Sequence, residues 1–320
     1  MDQDWRDIKS RFLTLTTDDW LEYGENWNGT TMSSHIGGSR DKTFIWCKSE
    51  LFQELIDELR NNPNCSYSTS YNKDIINGVD FKYLSVLEKN AYESSIGEVL
   101  TGRVLNFFGI RTPYEVVVNK DSKLKMLSVD FEKDGYIFKT LASLGMDIRY
   151  DTHNTVSHLQ NSLACLHEST SSPISKLDDK SFKKYKDKFI EDVLYSLLVR
   201  HVILGDIDCN EVNLGIEIGK EGDFYLMNFD YEDSFSHTFN KFFLDIQSLR
   251  TVVGRYFPKL LNRFWDKFDI FRGPNADGSK KVYEEIIDNC SCFKGVDLTR
   301  SKDVLACNIA EFVGEKEMEY

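Results

Sequence analysis

Three oxygen-bearing side chains in the second half of the chain have the types and spacing for metal-assisted group transfer. Asp208 and Asn213 stand in the polar run GDIDCNEVNLGI, directly behind an apolar helical segment, and Asp230 follows the short apolar strand FYLMNF. A carboxylate on a rigid loop can accept the proton of an attacking hydroxyl. A carboxamide and a second carboxylate are the hard oxygen donors that Mg2+ prefers, and a metal so held bridges phosphate oxygens. Asp208 is therefore the expected base, with Asn213 and Asp230 on the metal. That division suits phosphoryl transfer from a nucleotide, where positioning and electrostatics do nearly all of the work. The first half of the chain offers the two remaining parts. Lys82, in the strand candidate VDFKYLSV, would neutralise phosphate oxygens, and Glu98, on a helical segment, would hold that lysine in place. Each residue alone has an ordinary explanation, since Asp-x4-Asn arises by chance and a strand lysine or a turn aspartate is common. The order along the chain is what is specific: strand Lys, helix Glu, hairpin, long helix, Asp-x4-Asn, strand, Asp.

The elements that must position these residues are legible from periodicity. Lys48 to Arg60 reads as an amphipathic helix stopped by the run around Pro63. A polar stretch, SYSTSYNKDIING, ends in an Asn77-Gly78 turn signal ahead of the Lys82 strand. From Tyr92 to Phe108 the apolar positions Ile96, Val99, Leu100, Val104, Phe107 and Phe108 recur at helical spacing, with Gly109 as a stop and Glu98 off the apolar stripe. A hairpin is expected next, YEVVV against KLKMLSVDF across the turn Asn119 to Ser122. Beyond Tyr136 helical periodicity dominates, and Phe189 to Leu204 reads as a buried helix running straight into the Asp208 loop.

Composition excludes several classes. The chain has 320 residues, 41% hydrophobic and 13% aromatic, with 5 Pro and 19 Gly, which sets it apart from disordered or collagen-like sequences. Its most apolar stretch, Val193 to Leu204, is broken by Ser196, Arg200 and His201 and is too short to span a membrane. The net charge of -13 disfavours nonspecific nucleic-acid binding, which depends on basic surface. One local exception, Lys176 to Lys188, reads as a solvated helix face. The 7 cysteines are scattered, and the close pair Cys290 and Cys292 lacks the second pair a structural zinc site would show, so a reducing, cytoplasmic setting is expected. His153, His158 and His167 lack the spacing of a metal triad and read as ordinary histidines.

The segment LYSLLVRHVILGDIDCNEVNLGI resembles the catalytic loop of HipA-like serine/threonine kinases, an apolar helix followed by Gly-Asn-x-Asp-x-His-x-x-Asn. Here Asp206 replaces the first Asn and Asn210 the His, and neither change removes a group the chemistry needs. Asp206 either tightens metal binding, raises the pKa of Asp208 by like-charge proximity, or simply caps the loop. ESSIGEVLTGRVLNFFGIRT looks like the family's Glu-bearing helix, LSVDFEKDG like its interlobe hinge, and FYLMNFDYEDSF like the strand ending in the metal Asp. The resemblance covers roughly Val79 to Ser236.

The resemblance implies an α+β, two-lobed, protein-kinase-like fold, with an N lobe over 1–131 and a helical C lobe over 132–320. Within the N lobe, 1–75 is a family-variable segment and 76–131 carries the Lys strand, Glu helix and hinge hairpin. It implies ATP and Mg2+ as cofactors, with Lys82, Glu98, Val129, Phe131 and Asp230 at the nucleotide and Val129 and Phe131 at the adenine. It further implies transfer to Ser or Thr of a protein and possible self-phosphorylation, a toxin or effector role, and an inhibitory antitoxin-like partner. The phosphate-covering loop is either SYSTSYNK, which chain order favours and which offers Ser66, Ser68, Thr69 and Ser70 as acceptors, or GTTMSSHIGGSRDK. Two other readings stay open: a small-molecule phosphotransferase of the aminoglycoside-kinase type, and a nucleotide-binding pseudokinase serving as an interaction module.

Overall fold

The computed structural model describes residues 11–22, 42–62, 64–131, 137–146, 148, 152–206, 208–231, 234–235, 257–272, 282–290 and 296–318. The architecture is α+β and two-lobed, as the sequence leads one to expect. The first lobe is a 6-stranded sheet of β1 (Thr14–Leu15), β2 (Trp20–Glu22), β3 (Lys42–Lys48), β5 (Tyr83–Asn90), β7 (Glu115–Lys120) and β8 (Lys123–Val129). Its spatial order is β1-β7-β8-β5-β3-β2, antiparallel except for the β1–β7 pair. The β7–β8 hairpin turns at Asp121 and Ser122, both with positive φ, inside the expected turn.

Alternation along the central strands sends side chains to two faces. Leu84, Val86, Val116, Val118, Leu127 and Val129 join one core with Leu55, Ile56 and Leu59 of α1 (Gln53–Asn61). Val117, Leu124 and Met126 point the other way, into a core shared with Val99, Leu100 and Val104 of α3 (Glu93–Phe107). The sheet is thus sandwiched between α1 and α3. A small parallel pair, β4 (Tyr67–Ser68) with β6 (Thr112–Pro113), and the short α2 (Asn72–Ile76) complete the lobe.

The second lobe is built on α4 (Thr152–Glu168), α5 (Asp179–Val202), α6 (Phe257–Arg272), α7 (Val282–Asp288) and α8 (Thr299–Met318), with a 3-stranded antiparallel sheet of β9 (Ile137–Thr140), β10 (Leu214–Ile218) and β11 (Phe224–Asn228). α5 starts where the Asp178 carboxylate accepts the Ser181 amide at 2.6 Å. Its second half is apolar and buried, from Phe189 to Val202, and it delivers the chain into the Asp208 loop. The lysines of 176–188 lie on and just before the exposed first half of α5. No helix among the described residues is long and apolar enough to cross a membrane.

The lysine strand begins later than its sequence suggests. Val79 and Asp80 are fastened to α2 and α1 instead: the Val79 amide donates to the Asp74 carbonyl at 2.9 Å and Arg60 donates to Asp80 at 2.8 Å. The sheet register starts at Tyr83, paired with Lys48, and runs to Asn90, paired with Lys125. Residues 23–41, which hold GTTMSSHIGGSRD, join β2 to β3 and lie outside the described residues, as do 132–135 of the hinge segment.

Candidate active site

The shift of the strand changes which lysine meets Glu98. Lys82 is exposed, just ahead of β5, with its Nζ 5.5 Å from the centre of the Tyr83 ring, so the expected Lys82–Glu98 pair does not form. Lys89 takes that place. On β5 it faces α3, and its Nζ donates to Glu98 Oε1 at 2.5 Å, with Lys89 10% and Glu98 0% exposed. Burial works against the charge on Lys89, but Glu98, Glu115 and Asp230 outweigh it and hold its pKa above the ordinary lysine range. The sequence offered a signal for Lys89, since it lies on the same face of the strand as Leu87 and Ser85, but alternation alone does not say where a strand starts.

The Asp208 loop brings Asp208, Asn210 and Asn213 together. The Asp208 carboxylate accepts from Asn210 Nδ2 and from Asn213 Nδ2, both at 2.8 Å, and the Asp208 carbonyl accepts a further 2.8 Å bond from Asn213 Nδ2. Asn210, where the resembled family has His, therefore steers Asp208. Asp208 stays half-buried and reachable, whereas Asn213 is buried, and its Oδ1 takes no part in those bonds.

Asp206 holds the loop together. It is fully buried, its Oδ1 accepts the Asp208 amide at 3.0 Å, and its Oδ2 accepts Arg200 Nε at 2.6 Å. The loop-holding reading of this residue is the one the geometry favours, because both oxygens are committed to the protein. Arg200, which sequence reasoning passed over as a mere interruption of an apolar run, is the hub. It is completely buried, and beyond Asp206 it donates to the carbonyls of Asn213 at 3.4 Å and Asp230 at 3.2 Å. One guanidinium thus ties the loop to the end of β11. Asp230 itself adopts a left-handed backbone, φ 56°, which aspartate tolerates better than most residues.

Lys89, Glu98, Glu115, Ser128, Phe131 and Asp230 line one cleft between the lobes, a cavity of about 30 Å3. Phe131 packs there with Phe138, Met227 and Phe229 as an apolar wall. Val129 does not reach it, contrary to expectation. Its side chain is buried in the core on the α1 face and its amide donates to the Tyr114 carbonyl at 2.9 Å. Ser128, one residue earlier and on the opposite face, takes the cleft position. Glu115, also missed from sequence, is buried, and burial followed by the nearby Glu98 pushes its pKa up to about 8. Nothing in a strand reading marks such a residue, because its partners come from α3 and β5.

The Ser-rich segment is not near this cleft in the manner expected. Ser68 and Thr69 are fully buried, Ser68 donates to Glu217 of β10 at 3.1 Å, and the Ser70 amide donates to the Asp130 carbonyl at 2.8 Å. Arg111 adds a 3.1 Å ion pair to Glu217, so this segment clamps the lobes together and does not lie between the strands ahead of Lys89. A larger cavity, about 1060 Å3, lies behind α3 against α6 and α7 and includes none of the predicted site residues.

No protein-family model and no curated protein sequence matches the chain. Among solved structures the chain is similar to a kinase. This is the proinflammatory kinase CtkA of Helicobacter pylori, at 14% identity over 71% of this chain and 86% of that chain, with a TM-score of 0.43.

The donor set fits Mg2+. Among the described residues no three His, Cys, Asp or Glu side chains form a preformed metal cage, His158 is exposed, and His167 is stacked on Phe182 with its Nε2 on the Leu177 carbonyl. Asn213 Oδ1 and the Asp230 carboxylate offer two hard oxygen donors, which suits a metal that keeps waters and phosphate oxygens as its other ligands. Cys292 and His153 lie outside what the structure describes at side-chain level.

Proposed function

We propose that this protein is an ATP- and Mg2+-dependent kinase of the HipA-like type that phosphorylates Ser or Thr of a protein. The observation that carries the reading is that a lysine–glutamate ion pair from the sheet lobe and Asp230 from the helical lobe line one cleft, with Asp230 tied through Arg200 to the Asp208–Asn213 loop. Lys89 binds phosphate oxygens and Glu98 orients it. Asn213 and Asp230 would hold Mg2+, which would supply charge neutralisation at the phosphates. Asp208 accepts the proton of the acceptor hydroxyl while that oxygen bonds to the γ-phosphorus, the bridging P–O bond breaks, and ADP leaves with its electron pair. The apolar wall of Phe131, Phe138 and Phe229 excludes water and strengthens each charge interaction. The net charge of -13 favours a basic protein segment as substrate, and the inhibitory partner and effector role belong to the same proposal.

The test is incubation with Mg-ATP labelled at the γ-phosphate, alone and with a cell lysate, beside Asp208→Asn. Label on protein that disappears with Asp208→Asn supports the proposal. Label only on added small molecules shifts it to a small-molecule phosphotransferase, and nucleotide binding without any turnover makes the protein an interaction module.

A further inference from the structure

Two glycines lie inside α3, and only one has its missing side chain put to use. A Cβ added at Gly102 would find its nearest neighbour, the Pro113 carbonyl oxygen, at 4.0 Å, an ordinary contact. At Gly97 the same Cβ would stand 3.2 Å from the Ser234 carbonyl oxygen and 3.5 Å from the Phe235 ring. The first of these is a backbone atom, which no rotamer change can move aside.

The turn that α3 rests on is itself firmly held. Phe235 has φ 61°, an unfavourable backbone for a bulky side chain, and persists there because its surroundings fix it. Its amide donates to the Leu204 carbonyl at 2.8 Å, its ring is buried, and the Ser234 amide donates to the Tyr231 carbonyl at 2.9 Å. This turn is anchored to the end of α5 and to the chain just beyond Asp230. Gly97 immediately precedes Glu98, whose 2.5 Å bond to Lys89 leaves no slack.

From this contact we infer that Gly97 is a positioning residue for the Lys89–Glu98 pair: by letting α3 sit directly on the Ser234–Phe235 turn, it couples the helix that orients the phosphate-binding lysine to the chain leaving Asp230. The inference rests on the phosphotransfer reading above. A side chain at position 97 lifts α3 off the turn by a few tenths of an ångström or more and draws Glu98 from Lys89. The phosphate-binding group is then misplaced while the protein-substrate side of the site is untouched.

Gly97→Ala and Gly97→Val form a graded series, with Gly102→Ala as the matched control, since both Ala variants gain helix propensity equally. The expected result for Gly97→Val is a rise of roughly tenfold or more in KM for Mg-ATP with a fall in kcat, a smaller effect for Gly97→Ala, and an unchanged KM for a basic Ser-bearing test peptide. Gly102→Ala behaves as the parent. A second readout needs no activity: hydrogen exchange in residues 93–107 and 234–235 quickens in Gly97→Ala and not in Gly102→Ala. If the parent enzyme is active and the two Ala variants agree in both readouts while Gly97→Val keeps its nucleotide KM, the inference is overturned. If the parent binds no nucleotide, the phosphotransfer reading falls by itself. Equal exchange in the two Ala variants then rejects the seating of α3 through Gly97, and faster exchange in Gly97→Ala upholds it.

Discussion

Replacing Lys89 and Lys82 separately by Met tests the assignment of the nucleotide lysine. Lys89 is 10% exposed and bonded at 2.5 Å to a Glu98 that is fully buried, so Lys89→Met leaves a buried carboxylate without its cation. Breaking a buried pair on one side costs about 3–5 kcal/mol. With a urea dependence of about 2–3 kcal/mol per M, the unfolding midpoint falls by about 1–2.5 M. Lys82 is exposed, and its contact is a 5.5 Å approach to the Tyr83 ring, so Lys82→Met stays within about 0.5 kcal/mol of the parent. Catalysis and stability then separate in a double variant. Lys89→Met with Glu98→Leu removes both charges and recovers much of the lost stability, because a buried pair exchanged for apolar groups is close to neutral. Phosphotransfer stays lost. Urea unfolding and labelled-phosphate transfer on the four proteins decide the matter. Abolished transfer in Lys82→Met beside an active, stable Lys89→Met would refute the reasoning.

Other outcomes follow from the same geometry. Asp208→Asn abolishes transfer yet binds Mg-ATP with near-parent affinity by calorimetry, since the side chain is half-buried and its role is in the proton step. Asp206→Ala strands the buried Arg200 and lowers stability by about 3–5 kcal/mol, whereas the same change at the exposed Asp80, which also pairs with an arginine, costs less than about 1 kcal/mol by urea unfolding. The Glu115 pKa is raised from 4.5 to about 8 by burial, so the folded protein keeps a proton that the unfolded chain gives up. Its contribution to stability is therefore complete below about pH 4.5 and lost as pH rises toward about 8, and Glu115→Gln flattens the unfolding midpoint across that window.

The parts of the site that were legible in the sequence are those fixed by local spacing. Asp208 and Asn213 share one loop, and their mutual hydrogen bonds follow from being five residues apart behind a helix end. Glu98 is set by a helix whose stop signal at Gly109 is unambiguous, and the observed helix, Glu93–Phe107, agrees closely with the expected one. The parts that were not legible depend on tertiary register. The expected strand, Val79 to Val86, stops short of Lys89, whereas the observed one runs Tyr83–Asn90, and the choice between Lys82 and Lys89 was made by contacts to α1 and α2 that pull Val79 and Asp80 out of the sheet. Val129 and Ser128 differ only in which face of β8 meets the cleft, and a slip of one residue reverses the answer. Arg200 and Glu115 were hidden for a related reason: a buried charge is recognisable only once the groups that compensate it are in place.

The way Arg200 makes its bonds separates scaffold from reactivity. It grips the loop and the end of β11 through the carbonyls of Asn213 and Asp230 and through Asp206, never through the side chains of Asp208, Asn213 or Asp230. Main-chain carbonyls survive any substitution at their own residue. The three side chains proposed to react can therefore be altered one at a time while Arg200 keeps its bonds, and a chain silenced at any one of them should present the same folded surface to whatever binds it.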